Sequence, residues 1–317
     1  MKRINSILGC IIIALALQSC EKTFPLEVAD GQMAHLTCLP GAMDTTIIRL
    51  SRAIPIGDRK TRSASVETAN LRMVIDGSEV ENLQYADSAL GCVLKGCWFV
   101  TRRFSQDEHV EIYATADELP SIYAETVIPK ISGDISYELT HDVIEVGITG
   151  DDETEQCNYG VSLTCTATVN HSDGMQTAKN YTMIPVKQES LLFGSYTGHD
   201  YLDFQFNGRV VGQGRYIRVW STNKKDSGTT QLSMRYRLPI MDNYDLEEAT
   251  VSYSYKIMVY KFTRDFLRYV TALDNQNMNF LAEYGLAPGV FTYGNVSKGT
   301  GIVAGWTYKE SDSISID

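Results

Sequence analysis

Along most of this chain, apolar residues recur at every second position. Val161, Leu163, Cys165, Ala167 and Val169 alternate with Ser162, Thr164, Thr166, Thr168 and Asn170. Val251, Tyr253, Tyr255, Ile257 and Val259 alternate with Ser252, Ser254 and Lys256. Shorter sets of the same kind are Leu71, Met73 and Ile75; Val110, Ile112 and Ala114; Ile144, Val146 and Ile148; and Leu232, Met234, Tyr236 and Leu238. A period of two sends alternate side chains to opposite faces, so each run predicts a half-buried antiparallel strand. Turn formers separate the runs, at Asp76-Gly77, Asp173-Gly174, Asn207-Gly208 and Gly212-Gln213-Gly214.

One stretch departs from this period. Thr263 can cap a helix whose first turn holds Asp265, with Phe266, Leu267, Val270 and Leu273 at helical spacing. A second short helix is predicted from Gln276 to Tyr284, ended by Gly285. The pattern therefore predicts a mainly β protein of two β-sandwich-like domains, the second with one or two short helices near its C-terminal end. The boundary falls at Ile128-Pro129-Lys130-Ile131-Ser132-Gly133, where proline interrupts the strand pattern and polar residues follow. This gives an N-terminal, Ig-like sandwich over 36–129 and a β-rich C-terminal domain over 130–317.

The first residues follow a different logic. Lys2 and Arg3 precede an apolar run from Ile7 to Leu17, and small Ser19 stands before Cys20. The run is too short for the roughly 20 residues that cross a bilayer. It has the layout of a secretory signal ending in a lipoprotein box, with 1–19 as the signal peptide, Cys20 as the lipidated residue and 20–35 as a tether. The expected location is the outer membrane, lipid-anchored, with the cell surface favoured over the periplasmic face.

Charge narrows the partners. The chain carries 28 basic and 39 acidic residues. Removing Lys2 and Arg3 with the signal leaves 26 − 39 = −13. Such an acidic surface argues against nucleic acid, a polyanion. Of seven cysteines, Cys10 leaves with the signal and Cys20 is lipidated, so five remain. Cys92 with Cys97, and Cys157 with Cys165, are close enough in sequence for local disulfides; buried free thiols are the alternative. Neither pair has zinc-ligand spacing, so no metal and no cofactor is predicted.

The search for chemistry finds little. Ser195 between Gly194 and Tyr196 lacks the strand–helix setting of a nucleophile elbow. His199, Asp200 and Asp203 read as a polar turn. The acidic runs Asp151, Asp152, Glu153, Glu155 and Asp242, Asn243, Asp245, Glu247, Glu248 read as solvated loops without EF-hand spacing. A non-enzymatic protein is expected. The segment Asn275–Trp306 combines six glycines, among them Gly294, Gly299, Gly301 and Gly305, with the aromatics Tyr284, Phe291, Tyr293 and Trp306. Those four aromatics are candidate partner or ligand contacts; packing of a core is the alternative.

Three segments share one further feature, their order. His199-Asp200-Tyr201-Leu202-Asp203-Phe204-Gln205-Phe206-Asn207-Gly208-Arg209 comes first, and Tyr260-Lys261-Phe262-Thr263-Arg264-Asp265-Phe266-Leu267-Arg268-Tyr269-Val270 second. Gly294-Asn295-Val296-Ser297-Lys298-Gly299-Thr300-Gly301-Ile302-Val303-Ala304-Gly305-Trp306 follows. This order, with the lipoprotein box, resembles the Bacteroidetes outer-membrane lipoprotein family called domain of unknown function 4249. Its members end in a Tyr-rich helix, an Asn-x-x-x-Gly-x-Gly signature and a final strand. The resemblance implies an accessory lipoprotein that binds a ligand or nutrient beside a TonB-dependent receptor, and it brings no catalytic residues. An adhesin or fimbrial anchor subunit built of tandem sandwiches is the alternative.

Overall fold

The computed structural model describes residues 33–53, 66, 68–90, 93, 95–140, 143–149, 158–182, 218–221, 234–237, 249–269, 272 and 293–316. The described chain is mainly β, as the alternation predicts. In order its strands are β1 (Met33–Cys38), β2 (Thr45–Ala53), β3 (Asn70–Ile75), β4 (Ser78–Glu79), β5 (Gln84–Tyr85), β6 (Trp98–Thr101), β7 (His109–Thr115), β8 (Ile122–Val127) and β9 (Asp134–Thr140). There follow β10 (Val143–Thr149), β11 (Asn158–His171), β12 (Gln176–Thr182), β13 (Arg218–Ser221), β14 (Met234–Arg237), β15 (Ala249–Phe262), β16 (Thr300–Val303), β17 (Trp306–Glu310) and β18 (Ile314–Ile316).

Each set of alternating residues has its strand among the described residues, β14 covering 234–237 of the set from Leu232 to Leu238. The hairpin between β3 and β4 turns on Asp76 and Gly77, at φ of 48° and 79°. Left-handed values at both central residues of a two-residue loop match the twist of the flanking strands. β1 starts at Met33, inside the stretch expected to be tether.

Two sheets, β16-β1-β2-β6-β5 and β4-β3-β7-β8, face each other as a sandwich. Leu36, Ile48 and Val100 from the first meet Met73, Val110, Ile112 and Ala124 from the second in one core. The outer face of β2 is covered in its turn by Ala86, Val93, Cys97 and Phe99, packed on Ile47. A second core lies between β10 of the sheet β14-β10-β9 and the long strands β11 and β15. It contains Ile144, Val146 and Ile148 against Tyr159, Val161, Leu163, Tyr255, Ile257 and Val259. On its other face β15 leaves Ser252 and Lys256 exposed but is buried again from Met258 to Phe262. Met258, Tyr260 and Phe262 pack with Phe266, Ile302, Ala304 and Trp306, and Leu39 and Met43 of the first sandwich close over them.

The helix predicted after Thr263 is described over 264–269 and at 272. The Thr263 hydroxyl makes no bond among the described residues, so the predicted side-chain cap is not formed there. Its backbone N–H instead donates to Gly305 O at 3.2 Å. Stacking of Phe266 on Phe262, with centroids 4.5 Å apart, ties this helix to β15. The second predicted helix, 276–284, lies outside the described residues. No described helix is long and apolar enough to cross a membrane.

The cysteine pairing needs correction. Cys97 and Cys165 are buried free thiols, as is Cys38, so neither Cys92–Cys97 nor Cys157–Cys165 is bridged. Cys165 points into the second core beside Tyr255, and Cys97 into the cluster over β2. Burial raises the pKa of the Cys38 and Cys165 thiols, keeping them in the unreactive protonated form. Cys92 and Cys157 lie outside the described residues.

Candidate functional site

Of the candidate recognition segment Asn275–Trp306, residues 293–306 are described, and their path is unusual. It begins beside the helix at 264–269, where the Tyr293 hydroxyl donates to Asp265 Oδ1 and Arg268 sits over its ring at 5.6 Å. Burial first, and then the Asp265 carboxylate, raise the Tyr293 pKa and keep its proton in place. The chain next runs along the free edge of β8, and Ser297 N–H donates to Tyr123 O at 2.7 Å. It turns at Lys298, whose φ is 58°. It then enters the other sheet as β16, parallel to β1, with His35 opposite Thr300 and Cys38 opposite Val303.

One segment thus touches the edges of both sheets of the first sandwich. Asn295 fixes its turn. The Asn295 amide donates to Val303 O at 2.8 Å and its oxygen accepts from Val303 N–H at 2.9 Å, as a backbone partner would. The same amide reaches Asp265 Oδ2 at 3.3 Å and Glu125 O at 3.4 Å.

The glycines leave no room for side chains. A Cβ on Gly301, at φ 108°, would stand 1.9 Å from Leu36 O, and one on Gly294 would stand 2.5 Å from Gly301 O. The Asn-x-x-x-Gly-x-Gly pattern therefore encodes a close crossing of backbones. Over residues 22–312 the sequence matches the family described as Domain of unknown function (DUF4249). The chain belongs to this family. No curated protein matches it.

In this DUF4249 protein the four candidate aromatics have different positions. Trp306 is 3% exposed, and its indole N–H donates to Leu39 O at 3.1 Å. Its ring lies against the backbone of Gly41. It is a core residue, and the expectation of an open contact there is corrected: the Leu39–Gly41 loop covers it. Tyr293 is half-buried and turned toward Asp265 and Arg268. Tyr284 and Phe291 lie outside the described residues, as do Cys20, Ser195, His199, Asp200, Asp203 and both acidic runs. Of the other aromatics, Tyr255 and Tyr260 are buried, and Trp98 is buried with Tyr85 against it at 4.7 Å.

The densest titratable group among the described residues was not predicted from sequence. It lies on the outward face of β7 and β8 and comprises His109, Glu111, Tyr113, Tyr123 and Glu125. Tyr123 donates to Glu125 Oε2 at 2.7 Å, and Tyr113 to Glu111 Oε2 at 3.1 Å. The bond from Tyr123, then that from His109, hold Glu125 below the usual carboxylate range. The signal available was period-two placement: the sequence His-Val-Glu-Ile-Tyr puts His109, Glu111 and Tyr113 on one face.

Proposed function

We propose that this protein is a non-enzymatic, lipid-anchored envelope protein. Cys20 holds it to the outer membrane, at the cell surface, where it serves a TonB-dependent receptor as an accessory ligand- or nutrient-binding lipoprotein. The observation that carries the reading is the N-terminal sequence. Lys2 and Arg3, the apolar run Ile7 to Leu17 and Ser19-Cys20 form the three parts of a lipoprotein signal in their required order. Several acyl chains on one residue give stable anchoring, which a single chain does not.

The position of β1 supports a body working close to the bilayer. It starts at Met33, leaving 32 − 20 = 12 residues between it and Cys20. At full extension, about 3.5 Å per residue, 13 steps reach no more than about 45 Å. The adhesin or fimbrial alternative relies on a sheet edge open to a strand from another subunit. The edge of β1 is not available for this, because it carries the chain's own β16.

The anchor is tested by palmitate labelling and membrane fractionation of the wild type and Cys20→Ala. The proposal predicts that the variant loses both the label and the membrane association; a labelled, membrane-bound variant contradicts it. Mild crosslinking on intact cells should join the wild type to a TonB-dependent receptor. Recovery of the protein without one removes the receptor from the account.

A further inference from the structure

The outward face of β7 and β8 is organised by strand register. Glu111 stands directly opposite Glu125, and Tyr113 opposite Tyr123. His109, two residues before Glu111, lies beside both carboxylates. Its Nε2 is 3.0 Å from Glu125 Oε2 and its Nδ1 3.9 Å from Glu111 Oε1. One ligand atom from each of His109, Glu111 and Glu125 falls within 4.8 Å of the others.

We propose that His109, Glu111 and Glu125 form a binding site for a first-row divalent transition metal such as Zn²⁺ on the outer face of the N-terminal sandwich.

Two carboxylates placed directly across a strand pair repel each other. With neutral His109 the triad carries −2, and with protonated His109 it still carries −1. The nearest cation on the adjoining strand does not cancel this. Arg72 lies with its guanidinium 4.4 Å from the centre of the Tyr113 ring and 3.6 Å from Glu79. A divalent cation balances the carboxylates without a proton.

Metal-binding carboxylates are ordinarily held by hydrogen bonds from outside the metal's own ligands. Tyr113 does this for Glu111 and Tyr123 for Glu125, Tyr123 also lying 3.5 Å from Glu111 Oε1. The strands beneath are packed into the core: Val110, Ile112 and Ala124, each next to a ligand in sequence, are at most 1% exposed. Tetrahedral bonds of about 2.1 Å put ligand atoms roughly 3.4 Å apart, so small side-chain rotations close the site.

The ligand set selects the metal class. One imidazole with two carboxylates suits zinc and its neighbours better than calcium, which takes six to eight oxygens. Three protein ligands leave a fourth position open on the solvent side, where Glu125 is 54% exposed. That position would take water or a donor from a bound partner.

The site is independent of the lipid anchor and can be tested in the untagged mature chain by calorimetric titration with ZnCl₂ at pH 7.5. Wild type is expected to take up one equivalent more than His109→Gln and than the Glu111→Gln/Glu125→Gln double variant. Tyr123→Phe keeps all three ligands and should bind about 10-fold more weakly. Unchanged apo melting temperatures show that the variants fold; should the double variant fail to fold, His109→Gln and Tyr123→Phe decide. An excess of CaCl₂ should leave the zinc isotherm unchanged. Zinc isotherms identical in wild type and His109→Gln overturn the proposal. So does absence of zinc uptake by the wild type. Displacement of zinc by calcium overturns the metal class.

Discussion

Gly301 and Gly77 both sit at positive φ, 108° and 79°, yet a methyl group should cost very different amounts at the two. Around Gly77 nothing lies within 4 Å of an added Cβ, so Gly77→Ala bears only the backbone term, about 1 kcal/mol. At Gly301 the Cβ would lie inside the Leu36 carbonyl, and β16 must move off β1. Gly301→Ala should therefore cost more than about 3 kcal/mol, read as the shift in urea midpoint. Equal costs would show that β16 is loosely held. Asn295→Ala leaves both polar groups of the Val303 backbone without their partner and should cost about 2 kcal/mol.

The same strand pair carries a pH dependence. His35 Nδ1 is 3.1 Å from Thr300 Oγ1 and Nε2 3.1 Å from Thr37 Oγ1. Burial lowers its pKa below the ordinary 6.5, so between the two values the unfolded chain binds the proton and the folded chain does not. This contribution to stability is complete above pH 6.5 and is lost as pH falls through the lowered folded value. The melting temperature should fall with acidification below pH 6.5, and His35→Gln should flatten that fall. Parallel profiles would exclude His35 as the cause.

At the scale of elements, Trp306 and Tyr293 separate packing from contact. Trp306 is buried between β15 and the Leu39–Gly41 loop, so Trp306→Ala should cost about 3–5 kcal/mol by thermal or urea unfolding. Tyr293 is partly open and held by Asp265 and Arg268, and its loss should cost about 1–2 kcal/mol. A Trp306→Ala variant of wild-type stability would mean that the loop does not close over the indole.

The strands of both cores were legible because a two-residue period survives in Val110–Ala114 of the first and in Val161–Asn170 and Val251–Val259 of the second. β16 was not legible as a strand. Thr300-Gly301-Ile302-Val303 is short and glycine-containing, and its partner β1 lies some 265 residues earlier. A parallel partner at that distance leaves no local trace, so the glycines read equally well as turns or as a binding loop. The cluster on β7 and β8 was hidden for a related reason. His109 and Glu125 meet across two strands 16 residues apart, a separation that no ligand-spacing motif covers. The disulfides failed because sequence proximity says nothing of side-chain direction: Cys165 points inward from its strand.

For the whole molecule, the segment from Asn295 to Trp306 holds its two halves together. The glycines and Asn295 bring β16 to the edge of β1, and Ile302, Ala304 and Trp306 fill a core shared with β15. The proposed metal site lies apart from this seam, on the outer face of β7 and β8. Both sandwiches should then unfold as one cooperative unit, since opening either exposes the shared cluster. Native-state hydrogen exchange of the mature chain tests this most directly. The account predicts that the amides of β1 and β16 exchange only through global unfolding, with the same free energy as those of β11 and β15. Rapid exchange of 300–303 while Leu36, Ile112, Val161 and Ile257 stay protected would contradict it.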